Sequence, residues 1–246
     1  MSHSILRNFF LANIILVVSN SINLALANDK IQVVTENWYP YNYTNKNGSI
    51  VGKSTAVVKK ILAQSTLDYS IEAFPWTRAF NLSTTQPNVL IYSILRTPNR
   101  EKLFHWFCPI STQEPHRIYK LTNRNDITVN TEKDIKNYTI SATRGTFLHQ
   151  YMVGLGFIDE VNLQVTSDDE VATTLFLAGR VDLLADFESS IERSLKERRL
   201  DKSMVTQLFI IPAENYPANC MALSKQTSTD VVNKIRKAHQ DVMSQG

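Results

Sequence analysis

The run Leu90-Ile91-Tyr92-Ser93-Ile94-Leu95, closed by Arg96-Thr97-Pro98-Asn99-Arg100-Glu101, constrains this chain more than any other segment. Its apolar residues read as a buried strand, and Pro98, which has no N–H for a ladder, forces a turn after it. Thr97 and Arg100 therefore stand where a strand opens into a loop, a position from which ligand groups act on a rigid scaffold. A guanidinium held there can grip a carboxylate with two parallel hydrogen bonds. An isolated arginine more commonly pairs with a surface acid, so the meaning of Arg100 depends on its surroundings.

Those surroundings alternate between strand and helix. Ile31 to Thr35 reads as the first strand, followed by the aromatic loop Trp38-Tyr39-Pro40-Tyr41-Asn42-Tyr43, a turn at Asn47-Gly48 and Gly52. Ser54 or Thr55 can cap a helix with Val57, Val58, Ile61 and Leu62 on its apolar side. Tyr69 to Ala73 is strand-like, and Pro75-Trp76-Thr77-Arg78 opens a further helix. A second set follows. Tyr138 to Ala142 is a strand, and Thr143-Arg144-Gly145-Thr146 leads into a helix ending near Gly154 or Gly156. Ser167-Asp168-Asp169-Glu170 has capping-box spacing, Val181 to Ala185 is the next strand, and a helix begins at Thr229. The pattern is that of an α/β protein with partly parallel sheets, and two successive sets suggest two lobes.

The first residues form an export signal. Arg7 supplies the positive end, Phe9 to Val18 the apolar core, and Ala25-Leu26-Ala27 an A-x-A cleavage site, so residues 1–27 read as a signal peptide. No later segment is apolar enough to span a bilayer, and an exported, soluble product is expected. About 220 residues remain, enough for one large domain or two small lobes. Losing Arg7 lowers the formal charge from +3 to +2. No polyanion-binding field is expected, which argues against a nucleic-acid partner. Lys196, Arg198 and Arg199, interrupted by Glu197, read as a solvated helix face. Cys108 and Cys220 allow one disulfide in an exported protein and offer no zinc pattern.

The order of these motifs resembles the family 3 bacterial solute-binding proteins, the periplasmic amino-acid-binding type. The resemblance is carried by Tyr39-Pro40-Tyr41-Asn42-Tyr43 with Gly48 and Gly52, Pro75-Trp76-Thr77-Arg78, and Arg96-Thr97-Pro98-Asn99-Arg100-Glu101. It continues through Phe104-His105-Trp106-Phe107-Cys108-Pro109, Arg144-Gly145-Thr146 and Ala178-Gly179-Arg180-Val181-Asp182. It implies a two-lobed periplasmic binding protein of type II, with residues 28–109 plus 221–246 in the first lobe and 110–220 in the second. Two strands would cross between the lobes, near Phe107 to Ile110 and Cys220 to Leu223. Because such strands are neighbours, the resemblance also implies a Cys108–Cys220 disulfide across the hinge, the alternative being two buried free thiols.

The resemblance further implies a ligand site. Arg100 would take a carboxylate, Thr97 would add a hydroxyl and Leu95 a backbone contact. Trp38 and Trp76 would cover apolar parts of the ligand or serve as packing. Thr143, Gly145 and Thr146 form the second-lobe loop at a helix start, where open amides suit an anion, with Arg144 as a possible assistant. The acid for a ligand ammonium would be Asp186, although it follows Asp182 by four residues where the usual spacing is one longer. Glu188 is the alternative, or the α-amino group is not recognised. Ala56 also departs from the pattern, standing where many members carry an aspartate.

The expected function is capture of a small polar, carboxylate-bearing, amino-acid-like solute for an ABC importer, by hinge closure and without a cofactor. Its partners would be that solute and a permease or membrane receptor, and the protein itself a monomer. A sensory protein serving a receptor is one alternative. An enzyme of dehydratase or glycan-cleaving type is another, with Glu114 and Glu188 the acids to inspect. His105, His116, His149 and His239 show no metal-ligand spacing, and no G-x-S-x-G elbow appears, so neither metal nor nucleophile chemistry is indicated. A diverged member that keeps the fold and has lost tight binding is the third.

Overall fold

A computed structural model describes residues 30–212 and 218–245; the expected leader and its expected cleavage after Ala27 lie outside the described residues. The first half of the chain runs β1 (Ile31–Thr35), β2 (Tyr43–Thr44), β3 (Ile50–Val51), α1 (Lys53–Ser65), β4 (Tyr69–Ala73), α2 (Trp76–Thr85), β5 (Val89–Leu95) and β6 (Phe104–Ser111). The second contains β7 (Arg117–Leu121), β8 (Ile140–Thr143), α3 (Phe147–Gly154), β9 (Leu163–Thr166), α4 (Asp169–Leu177), β10 (Leu183–Asp186), α5 (Glu188–Glu197) and β11 (Val205–Ile210). The chain then returns through β12 (Asn219–Ser224) and α6 (Thr229–Met243).

Two five-stranded sheets result, ordered β4-β1-β5-β12-β6 and β11-β7-β10-β8-β9. In the first, β1 pairs in parallel with β4 and β5, while β12 runs antiparallel to β5 and β6. Strand β6 leaves this sheet toward the second, and β12 returns beside it. These are the two crossing strands, and Cys108 and Cys220 on them form a disulfide with a Cα–Cα distance of 4.6 Å.

The buried run of β5 is covered on both faces. Leu90 and Tyr92 meet α1 and α6 through Val58, Ile61, Val231 and Ile235. Val89 and Ile91 meet Trp76 and Ala79 of α2. Strict alternation would send Ile94 to the face of Leu90, yet it packs with Val89 and Ile91. The pairing with β12 slips between Cys220 and Met221, so that Ile94 opposes Cys220 and Tyr92 opposes Met221. Ser93 is the extra residue, with a left-handed φ of 59°. The bulge resets the pleat and turns Ser93 out of the ladder.

Helix α1 departs from the sequence expectation at its start. Gly52 is the N-cap, and neither Ser54 nor Thr55 caps the helix. The first amides are instead taken by loop carbonyls: Lys53 N–H donates to Pro40 O, and the N–H groups of Ser54 and Thr55 donate to Tyr41 O. This close approach requires glycine, since a Cβ at Gly52 (φ 128°) would lie 2.3 Å from Tyr41 O. The hydroxyls of Ser54 and Thr55 bond Ser111 and Tyr92. Other boundaries move by a residue or two: β8 begins at Ile140, β10 at Leu183, and Asp168 rather than Ser167 caps α4.

Candidate functional site

A cleft opens between the carboxyl ends of the two sheets, the usual ligand position in open α/β sheets. From the first half of the chain it is lined by Glu36, Trp38, Trp76, Ser93, Leu95 and Arg100; from the second by His116, Ser141, Thr146, Leu148, Asp169 and Asp186, among others. Of the residues expected from sequence, Trp38, Trp76, Leu95, Arg100, Thr146 and Asp186 come together here.

Arg100 lies in the short 3-10 turn that Pro98 opens. It is only 3% exposed. Nη1 donates to Leu95 O at 3.0 Å, and Nη2 crosses the cleft to Gly145 O at 2.8 Å. Its guanidinium faces the rings of Trp76 and Phe80. Burial lowers its pKa to about 10, with Glu36 acting in the opposite direction, so it stays charged at neutral pH. Its hydrogen bonds go to neutral carbonyls, and no acid among the described residues is within ion-pair distance. Arg96, by contrast, pairs with Glu101 at the surface.

The second-half loop is built differently from the expectation. The N–H of Arg144 donates to Thr166 O, that of Thr146 to Thr143 O, and that of Gly145 to His149 Nδ1. These amides are taken up by acceptors on β9, in the turn itself and on α3, where Gly145 (φ 73°) turns the chain. No open row of N–H groups faces the cleft from these three residues; the Gly145 carbonyl does, toward Arg100. Trp76 packs over Gly145, where a Cβ would meet its Nε1 at 3.5 Å. Thr143 directs its hydroxyl to Asp169 at 2.6 Å. Thr146 caps α3 by accepting from His149 N–H. Thr97 is buried with an unpartnered hydroxyl, and it is not among the residues lining the cleft. Arg144 is exposed beside Asp159 and Glu160.

Asp186 ends β10. It is 8% exposed, Oδ1 accepts from Phe187 N–H at 2.7 Å, and Oδ2 is buried without a partner. The short spacing from Asp182 does not remove it from the cleft. Glu188 does not line the cleft: it is half-exposed and pairs with Arg117. Glu114 joins Lys53 and Ser189.

Sequence reasoning missed Glu36, Ser93, His116 and Asp169. Glu36 follows β1, and its pKa is pushed well above the ordinary value by burial first and then by Asp169 and Asp168, against the pull of Arg100. Burial, with Asp168, also raises Asp169. His116 packs on Phe187 at 4.2 Å, and burial lowers it to about 3, leaving the ring neutral. Ser93 is 4% exposed with its hydroxyl unpartnered in the cleft, a strained residue of the kind that gathers at functional sites.

Burial, then Asp169, raises Asp186 from 3.8 to about 8, while the nearby Ser190 and the Phe187 N–H work against this. The folded protein then holds a proton that the unfolded chain releases near its ordinary value. Stability linked to this group therefore falls as pH rises from about 4 to about 8. Asp186→Asn removes this dependence. Its Tm advantage over the parent should grow from near zero at pH 4 to at least about 3 °C at pH 9, with 1 kcal/mol worth about 2–4 °C in a chain of this size. An offset that stays constant across that range would show that Asp186 is ionised in the fold.

Two α/β lobes, two crossing strands and a polar cleft between them define a two-lobed solute-binding protein of the periplasmic type. The chain belongs to the bacterial extracellular solute-binding proteins, family 3, whose profile matches residues 31–246. No curated protein sequence matches it significantly. Among solved structures it resembles a histidine kinase sensor domain similar to periplasmic binding proteins (TM-score 0.75, 16% identity, 88% of this chain and 91% of that one). It also resembles the arginine-, lysine-, histidine-binding protein ArtJ from Geobacillus stearothermophilus (TM-score 0.72, 19% identity, 88% and 90%). A third is an ancestral arginine-binding protein bound to arginine (TM-score 0.71, 16% identity, 88% and 93%). At these identities the likeness speaks for the fold.

Proposed function

We propose that this protein is exported, loses its leader after Ala27, and closes around a small amino-acid-like solute in the periplasm. Arg100 takes the solute carboxylate and Asp186 its ammonium group, with Trp38 and Trp76 against its apolar part. The lobes are residues 28–109 plus 221–246 and residues 110–220. This division is supported by the first sheet drawing on 31–111 and 219–224 and the second on 117–210.

The observation that carries the reading is the buried guanidinium bonded only to neutral carbonyls, opposite a buried carboxyl with a free oxygen. A charged acceptor forms the stronger bond, so a solute carboxylate displaces the Gly145 carbonyl from Nη2. Ring contacts across the cleft, Trp38 and Tyr41 with Phe187 and Arg193 with Tyr39 and Tyr43, support a closed form that two lobes build together. The described acids and histidines do not assemble into a metal site.

Titration calorimetry with L-amino acids, their decarboxylated amines and dicarboxylates tests this reading. L-amino acids should bind at micromolar concentration or below and the amines at least tenfold more weakly; equal affinity would remove the carboxylate assignment. Delivery to an ABC importer is the proposed role. The likeness to a sensor domain favours a membrane receptor as the second reading. Deleting the gene separates them, by loss of solute uptake in the first case and loss of a solute response with uptake intact in the second.

A further inference from the structure

We propose that the solute carries a second cationic group beyond its α-ammonium, and that Glu36 and Asp169, one from each half of the cleft, hold it between them. The inference rests on the cleft being the solute site. Glu36 follows β1 of the first sheet, whereas Asp169 opens α4 beside the second. Closure brings these two carboxyls into each other's field. Like charges drawn together in a partly dry cleft oppose closure unless a cation or a proton stands between them.

The neighbouring groups do not supply that cation. The Glu36 carboxylate makes no hydrogen bond or ion pair among the described residues, and one Asp169 oxygen is occupied by the Thr143 hydroxyl alone. Asp168, which could have been the acid of this helix start, caps α4 through Val171 N–H and leaves Asp169 to the cleft. Arg100, the one guanidinium lining the cleft among the described residues, points to Leu95 O and Gly145 O. Three carboxyl groups, Glu36, Asp169 and Asp186, therefore line a cleft that holds one fixed cation. A zwitterion brings no net charge to them, whereas a solute of net positive charge takes the place of a proton and favours their ionised form. Burial first raises the pKa of all three acids, and neighbouring acids add to it: Asp169 beside Glu36 and Asp186, and Asp168 beside Asp169.

Two further atoms show that the cleft awaits a polar molecule. Ser93 Oγ and Asp186 Oδ2 are both buried, both in residues that line it, and both unpartnered. A divalent metal is the poorer occupant, because no group of three acid or histidine side chains converges among the described residues. An organic cation on an aliphatic stem suits the arrangement better. Its stem can lie along Trp38 and Trp76 while its charge meets Glu36 and Asp169. The solute class is thus an α-amino acid with a terminal ammonium or guanidinium group.

Calorimetry on the purified protein with matched pairs decides this: L-arginine against L-citrulline, and L-lysine against L-norleucine. Each pair keeps the α-carboxylate and α-ammonium and differs in the terminal charge. The parent protein should prefer the charged member at least tenfold. Glu36→Gln and Asp169→Asn should each reduce that ratio to within threefold, and the ratio, unlike the affinity, is insensitive to a general loss of folding. A ratio near one in the parent overturns the inference while leaving the amino-acid reading intact. An unchanged ratio in both variants overturns the assignment to these residues. If neither member of either pair binds, the amino-acid reading itself fails, and the inference with it.

Discussion

Replacing Arg100 with alanine should lower the affinity for a carboxylate-bearing solute by roughly 30-fold to more than 1,000-fold. That range is what loss of one partner from a buried charge pair costs, about 2–5 kcal/mol. The size of the effect follows from where the side chain sits. It is nearly inaccessible, so water cannot replace its hydrogen bonds, and its truncation would also uncover the rings of Trp76 and Phe80. The Leu95 and Gly145 carbonyls would lose their donor as well. Arg100→Lys should fall between parent and alanine variant, because an ammonium keeps the charge and loses the two-pronged donor geometry. The informative quantity is the contrast between an amino acid and its decarboxylated amine. In the alanine variant that contrast should shrink to within threefold. If it persists at its parental size, another group takes the carboxylate.

The second large effect is on stability. The Cys108–Cys220 bond closes a loop with a sequence separation of 112. Chain entropy alone assigns such a cross-link about 5 kcal/mol, an upper figure because real unfolded chains are already compact. Cys108→Ser combined with Cys220→Ser should therefore lose roughly 2–5 kcal/mol and lower the Tm by roughly 5–15 °C. Both cysteines lie on strands already paired in one sheet, so the folded state needs little adjustment to survive the loss. Denaturant titration with and without reductant measures the effect. The parent without reductant should show no titratable thiol in denaturant, and an unchanged unfolding midpoint in the double variant would show that the bridge adds nothing. Solute affinity gives a second readout, since the bridge ties together the two strands on which the lobes move.

Much of the architecture was legible in the chain. Ile31–Thr35 and Tyr69–Ala73 are strands at the positions their apolar pattern indicates, and the helix from Thr229 presents Val231, Val232, Ile235 and Ala238 to the core. Pro98 and Arg100 were visible for a local reason: a proline after an apolar run ends a strand whatever surrounds it. The Cys108–Cys220 pairing was not a matter of spacing. It came from the family resemblance, which makes the crossing strands neighbours.

The rest of the site depends on distant parts of the chain. Asp169 looked like one acid among several at a helix start, and only the assignment of Asp168 as the cap frees it for the cleft. Glu36 carries no local mark beyond its place after a strand. Its importance arises from Asp169 and Arg100, which are remote in sequence and close in space. Ser93 sat inside an apolar run with nothing to distinguish it, because a bulge is a property of two strands in register.

The opening strand and turn were thus determined by the sequence itself, since backbone sterics and burial act over a few residues. Two α/β lobes follow from the same short-range rules, while their crossing strands and an arginine for a ligand carboxylate came from the family resemblance. Which atoms that arginine meets was decided only in three dimensions. The tertiary structure tied the Gly145 loop amides to β9 and His149, turned the Gly145 carbonyl toward Nη2, and brought Glu36, Asp169 and Asp186 into one cleft. Electrostatic interactions depend on distance and burial, and a linear sequence contains neither.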